Sequence, residues 1–460
     1  MNDIYLLQKD AEQGDSDAQS NLGIAYYYGE GVERNYSKAV YWYQKAADQG
    51  DGDAQFNLGV AYDVGHGVRQ DSARAIYWYQ KAADQGVAGA EHNLGITYGE
   101  GRGVQQNYDR AVYWYQRAAD QGHPDAEFNL GVAYYTGHGA PQDFSNAVYW
   151  YQKAAEHGDH DAQLYLGHAY FHGKGIQQDY VQAAYWYQKA ADQGDCYAQF
   201  NLGLAYYKGN GVDRNYTKAF GLYQKAADQG YGNAQFNLGI AYDRGFGSPQ
   251  DHAKAVYWYK KAADQGVAEA EYNLGVAYHE GCGALQDSAK AILWFQKAAD
   301  HGDIRAAYNL GVSYLNGQGV QQDYGKAVHW FQKAAEQGDA KAEFNLGVVY
   351  DEGLGMEQNL AKAIYWFQQA ADHGDPKAAF TLGVSYRDGM GLQQDYAKSV
   401  YWFQKAADQG DGGAEFSLGN AYFYGEGVQQ DYSIAKYWWK KAAAQGSEEA
   451  QNNIDALEDV

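Results

Sequence analysis

"NLGVAYYTGHGAPQDFSNAVYWYQKAAEHGD", residues Asn129 to Asp159, decides the fold. Wound as a helix, its first half places Leu130, Ala133 and Tyr134 on one apolar face, with the small Gly131 beside it. Gly137 and Gly139 interrupt that pattern. Asp143 then stands immediately before a second helical run, where its side-chain oxygen can accept from the first unpaired amides. Ala147, Trp150 and Ala154 share a face of that run, and Gly158 ends it. The stretch predicts two helices, each closed by glycine.

Reading outward, the same sentence recurs along the whole chain. The glycine of "NLG" and its variants falls at Gly23, Gly59, Gly95, Gly131, Gly167, Gly203, Gly239, Gly275, Gly311, Gly347, Gly383 and Gly419, always 36 residues apart. Numbering the unit from Asp17 gives twelve repeats over residues 17–448, the first 17–52 and the last 413–448. Positions 7, 13, 15 and 34 are Gly in every copy, and position 19 is Asp or Asn in every copy. Helix A covers positions 1–12, with its apolar face at 2, 6, 9 and 10. Helix B follows position 19, with Trp at position 26 in eleven copies and Leu222 in the other.

Residues 1–16 match the second half of a helix B, with Leu6 in the Trp column. Residues 449–460 match a helix A, with Ile454 in the Leu column. One hairpin cannot bury its apolar stripe alone, but stacked hairpins can. The expected fold is all-α: a right-handed superhelical α-solenoid of twelve 36-residue helix-turn-helix repeats with half-repeat caps, A helices lining the inner wall.

Composition narrows the function. The chain has 35 Lys+Arg against 58 Asp+Glu, a formal charge of −23. That excludes a counterion-displacing basic stripe for nucleic acid and disfavours anionic membrane surfaces. A basic or neutral partner fits better. Cys196 and Cys282 lie at different phases of the repeat, which predicts free thiols. The opening "MNDIYLLQKDAEQG" lacks the charge and apolar pattern of a secretory signal, and no apolar run reaches membrane-span length. The expectation is a cytoplasmic protein, with signal-independent export left open.

Catalytic patterns are missing. "GEGVER" at 29–34 begins like a phosphate-binding loop but lacks its third glycine and follows a helix, so it reads as a helix end and turn. No HExxH, GxSxG or Walker motif occurs. No catalytic or cofactor residue is predicted. His168 and His172, one turn apart on helix A of repeat five with Asp161 on the same face, have metal-ligand spacing but no clear further ligands.

These residues carry a resemblance. Ala18, Leu22, Gly23, Tyr26, Gly29, Gly31, Val32, Asn35, Lys38, Ala39, Trp42, Lys45, Ala46, Ala47 and Gly50 of repeat one resemble the Sel-1-like repeat (SLR) family, a relative of the tetratricopeptide repeat. The likeness covers residues 17–448 and both caps. It implies a non-enzymatic scaffold or adaptor for protein-protein interaction. It also brings the alternative of β-lactam binding or hydrolysis, linked to a cysteine-rich branch that pairs cysteines within repeats. A metal-binding repeat protein is the further alternative.

Helical arithmetic places positions 1, 4, 5, 8, 11 and 12 opposite the core face of helix A, on the expected groove. Position 5 forms an Asn column that includes Asn129, Asn201, Asn237, Asn273, Asn309 and Asn345. An amide can donate to and accept from a peptide backbone, or bond a neighbouring helix instead. Position 4 includes Phe200, Phe236, Tyr272, Tyr308 and Phe344, which can take partner side chains or wedge between A helices. Positions 11 and 12 vary, Tyr207 and His279 among them, and would set specificity.

Overall fold

The computed structural model describes residues 2–458, and among these it contains 26 helices and no strand. Two compact units divide the chain, residues 1–229 and 230–460. Each is a run of antiparallel helix hairpins, and the same local rules build both.

Repeat one shows the rules. Helix A spans Ser16–Tyr28 and helix B spans Tyr36–Asp48. Asp15 starts helix A by accepting from the Ala18 amide, and Asn35 starts helix B by accepting from the Lys38 amide. All twelve Asp or Asn residues at position 19 make this cap, from Asn35 to Asp431. The A helices end on a left-handed glycine at position 13, such as Gly29 at φ 82°. Among the described residues every positive φ belongs to glycine.

The glycine at position 7 has a different task. It lies within helix A at ordinary helical φ, and a Cβ there would meet the aromatic ring at position 27 of helix B. The distance would be 2.5 Å from Gly23 to Tyr43 and 2.4 Å from Gly311 to Phe331. These rings are the deepest large side chains of the array: Tyr43, Tyr79, Tyr151, Tyr187, Phe331, Phe403 and Trp439 are all at most 2% exposed. Ala at positions 2 and 30 and Leu at position 6 close the core around them. The Trp column of helix B is buried or half-buried; Trp294 packs against the cluster that includes Ala255, Tyr259 and Ala262 of the preceding repeat and Leu274 of its own.

One buried column departs from the expected apolar pattern. Position 3 is Gln or Glu in ten repeats, buried in all of them, and Ala307 or Ala379 in the other two. Its partner is the residue at position 33, at the end of helix B. Gln49 donates to Gln19 at 2.8 Å, and Gln85, Gln193, Gln229 and Gln265 repeat that bond. Several of these Gln side chains also donate to the carbonyl ending the preceding helix B, as Gln19 does to Ala11 at 3.0 Å. A glutamate cannot donate. Where Glu91 occupies the position, Arg117 pairs with it at 2.8 Å and itself reaches the Ala83 carbonyl. Glu127, Glu271 and Glu343 meet His157, His301 and His373. A buried side chain thus ties each such helix A to its own helix B, because a buried polar group without a partner costs ~1–3 kcal/mol.

Two described helices lie outside the twelve repeats. In Asn2–Glu12, Leu6 is 54% exposed. In Glu448–Glu458, Ala450 and Ile454 are buried against Trp439.

Candidate functional site

The residues predicted to line the groove divide by what they touch. In position 4, Phe200, Phe236, Tyr272, Tyr308 and Phe344 are half-buried, each with its ring 5.6–6.0 Å from the position 27 ring of its own repeat. They support the hairpin with one side and present the other to the A-helix face. The asparagines differ among themselves. Asn201 and Asn237 donate to carbonyls of their own helix, those of Tyr197 and Asn233, at 2.9 Å. Asn93 and Asn273 lie beside the hydroxyls of Tyr79 and Tyr259 in the preceding helix B. Asn345 reaches the Tyr308 hydroxyl at 3.5 Å, and Asn129 lies 2.9 Å from Nε2 of His92. Asn309 is half-buried. Tyr207 packs on Tyr216, and His279 is exposed.

Several cavities open along the A helices of the described residues; one of about 610 Å³ lies beside Phe423, Trp439 and Leu457, and two lie between successive repeats. In the second unit a cavity of about 380 Å³ runs between the A helices of repeats seven and eight. Phe236, Ile240, Arg244, Asn273, Val276 and Glu280 line it. Arg305 at its edge stacks over Tyr272 at 4.1 Å. In the first unit a cavity of about 220 Å³ lies between repeats four and five, walled by Tyr135, Phe144, Tyr165, His168, His172 and Lys174. No carboxylate lines this second cavity. The Lys174 ammonium sits 4.3 Å from the Tyr135 ring centre and 4.2 Å from that of Phe144.

Repeat five shows why that cavity is distinctive. Tyr165 takes the place of the usual Asn, and the Tyr151 hydroxyl below it is buried with no hydrogen-bond partner. Burial pushes the Tyr151 phenol far above its ordinary value, so it stays neutral. His168 binds the Tyr187 hydroxyl through Nδ1 at 3.1 Å, and burial followed by the nearby His172 lowers its pKa. The rings of His168 and His172 lie 6.4 Å apart, and no third ligand among the described residues gathers around them. That pair serves the cavity wall.

The donors that do converge are elsewhere. His92, His123 and Asp125 place ligand-capable atoms within 4.8 Å of one another. Burial, and then the neighbouring His123, lower His92 to about 4. Sequence spacing gave no sign of this group, because His92 and His123 are 31 residues apart and meet only through packing between repeats. A second feature passed over in the sequence is on the B helices. Position 25 is Tyr in nine repeats, each at least half exposed, for example Tyr41 at 53% and Tyr257 at 53%. A Lys one turn later lies beside several of them, as Lys45 does beside Tyr41.

Cys196 and Cys282 are free, so the intra-repeat pairing of the cysteine-rich branch is not made here. No described helix is long and apolar enough to cross a membrane.

Comparison with known proteins agrees with this architecture. The Sel1 repeat family model matches residues 16–51, 52–87, 88–123, 124–159, 160–195, 196–231, 232–267, 268–303, 304–339, 340–375, 376–411 and 413–447. The crystal structure of c5321, a protective antigen of uropathogenic Escherichia coli strains displaying an SLR fold, is 34% identical. It aligns over 99% of this chain and 97% of its own with a TM-score of 0.85. A Sel1 repeat protein from Oxalobacter formigenes is 36% identical over 66% of this chain and 88% of its own, with a TM-score of 0.55. No curated protein sequence matches the chain.

Proposed function

Because the chain belongs to the Sel1 repeat family, whose members are in general non-enzymatic protein-interaction scaffolds, we propose that it holds a protein or peptide partner on the A-helix face of its repeats. One observation carries this reading. Both of these inter-repeat cavities are lined by positions 5, 8, 11 and 12 of helix A, and positions 11 and 12 are among those that change strongly from copy to copy while the core columns stay constant. A rigid frame with variable surface positions is what a repeat array supplies to a partner. The proposed contact set is Asn129, Asn201, Asn237, Asn273, Asn309 and Asn345, the exposed edges of Phe200, Phe236, Tyr272, Tyr308 and Phe344, and the variable Tyr207 and His279. With a formal charge of −23, the array favours a basic or neutral partner.

The test is hydrogen exchange on the full chain with and without a co-purified partner. Protection is expected in peptides covering helices His160–His172 and Ala268–Glu280. The companion variant is Arg244→Glu with Glu280→Lys, which reverses charge at the cavity between repeats seven and eight and leaves the core columns intact. Protection confined to the exposed Tyr column of the B helices, with the double variant still binding, would refute this placement.

A further inference from the structure

We infer that the junction of repeats three and four is a divalent transition-metal site held by His92, His123 and Asp125. The three residues come from three places: helix A of repeat three, the residue that starts the next helix A, and the first turn of that helix. Their ligand-capable atoms lie within 4.8 Å of one another. Metal bonds of about 2.0–2.2 Å to imidazole nitrogen and carboxylate oxygen need closer spacing, which rotation of the exposed Asp125 side chain can supply.

Three further observations point to a ligand. The Nδ1 atom of His123 is buried and has no hydrogen-bond partner, a costly state for a polar atom unless something else satisfies it. Both histidines replace a residue that would serve the array better. Position 4 is Phe or Tyr in nine repeats, whereas His92 is a 7% exposed imidazole there. The residue before helix A is a capping Asp in eight repeats, whereas His123 makes no cap hydrogen bond. That exchange forgoes a cap worth ~1 kcal/mol. Finally, the Asn129 side chain lies 2.9 Å from Nε2 of His92, where an outer hydrogen bond orients a metal-binding ring. The two imidazole rings stack at 4.8 Å between centres.

Two imidazoles and one carboxylate suit Zn²⁺ or its neighbours Co²⁺ and Ni²⁺, and not Mg²⁺ or Ca²⁺, which prefer all-oxygen shells. The exposed side of Asp125 leaves a fourth position to water or to a donor from a partner. The surface group His160, Asp161 and Asp195 is a weaker competitor, since the Asp195 carboxylate already caps the Ala198 amide.

The experiment titrates untagged, chelator-stripped full chain with ZnCl₂ by calorimetry and repeats it with CoCl₂ in the visible range. The wild type should take one equivalent that raises Tm, with a Co²⁺ band typical of nitrogen and oxygen ligands. His92→Phe copies the usual aromatic of its column, and His123→Val copies Val87 and Val267. Both variants should keep the helical circular dichroism and lose that equivalent, weakening binding at least ~10-fold. The triple variant His160→Ala, His168→Ala, His172→Ala should keep it. A wild type that binds no equivalent overturns the assignment. So do folded His92→Phe and His123→Val proteins that bind as tightly as wild type, or loss of binding in the triple variant alone.

Discussion

Gly203→Ala and Gly221→Ala make the same change in the same repeat, and they should move stability in opposite directions. Both glycines are helical, in Cys196–Lys208 and Tyr216–Asp228, and neither has a positive φ. Replacing a helix-interior glycine by alanine gains ~0.8–1.0 kcal/mol from backbone entropy alone. At Gly221 the new Cβ meets nothing within 4 Å, so the variant should keep that whole gain. At Gly203 the Cβ would sit 2.7 Å from Cε1 and 2.9 Å from Cδ1 of Tyr223, a side chain 3% exposed. Carbon contacts settle near 3.5–4.0 Å. The ring must therefore retreat by roughly an ångström into a packed core, which costs ~1–3 kcal/mol. Subtracting the propensity gain leaves a net loss of ~1 kcal/mol, and the two variants should differ by ~2 kcal/mol. Hydrogen exchange on the full chain, followed in peptides from repeat six, reads that difference as roughly a 30-fold change in local opening. Coupling is a second check: shrinking the ring with Tyr223→Leu should cancel most of the Gly203→Ala penalty. Equal stabilisation by both alanines would show that the ring does not require the glycine.

Removing His373 with alanine leaves the buried Glu343 carboxylate without its 2.8 Å partner and should cost ~1–3 kcal/mol in urea unfolding. Adding Glu343→Ala should recover most of it, since Ala307 and Ala379 fill the same position in two other repeats; a double variant as unstable as the single one would contradict this. Asp323→Ala deletes the cap on the Lys326 amide and should lower stability by ~1 kcal/mol in thermal melts. Asp323→Asn should be nearly silent, because Asn35, Asn107, Asn215 and Asn359 make the same bond. Tyr151→Phe removes a buried hydroxyl that has no partner and should leave stability unchanged or raise it by up to ~1 kcal/mol, where a measurable loss would mean the hydroxyl is satisfied in solution.

Much of the helix hairpin was legible because its causes are local. The Asp or Asn at position 19 caps helix B, and the glycine at position 13 takes the left-handed conformation, through atoms a few residues away. The alanine and leucine columns followed from helical phase. Position 3 did not, since within helix A it lies on the flank of the apolar stripe. It becomes core only because the end of helix B, 30 residues later, folds over Gln19 and its counterparts. The ring at position 27 was passed over in favour of the neighbouring Trp for the same reason, as its burial depends on the glycine groove of the facing helix.

The candidate site divides along the same line. The sequence by itself determined the repeat length, the helix boundaries, the capping residues and the face on which variation accumulates, all set by one helix and its turns. Only the tertiary structure decided which variable residues meet. It separated Asn201, bonded to its own helix, from Asn273, which lies beside the Tyr259 hydroxyl of the preceding one. Among the described residues it left His168 and His172 without a third ligand and brought His92 against His123 and Asp125. The physical reason is that helical spacing predicts neighbours within a helix, whereas neighbours between helices depend on how side chains from successive repeats pack across the junction.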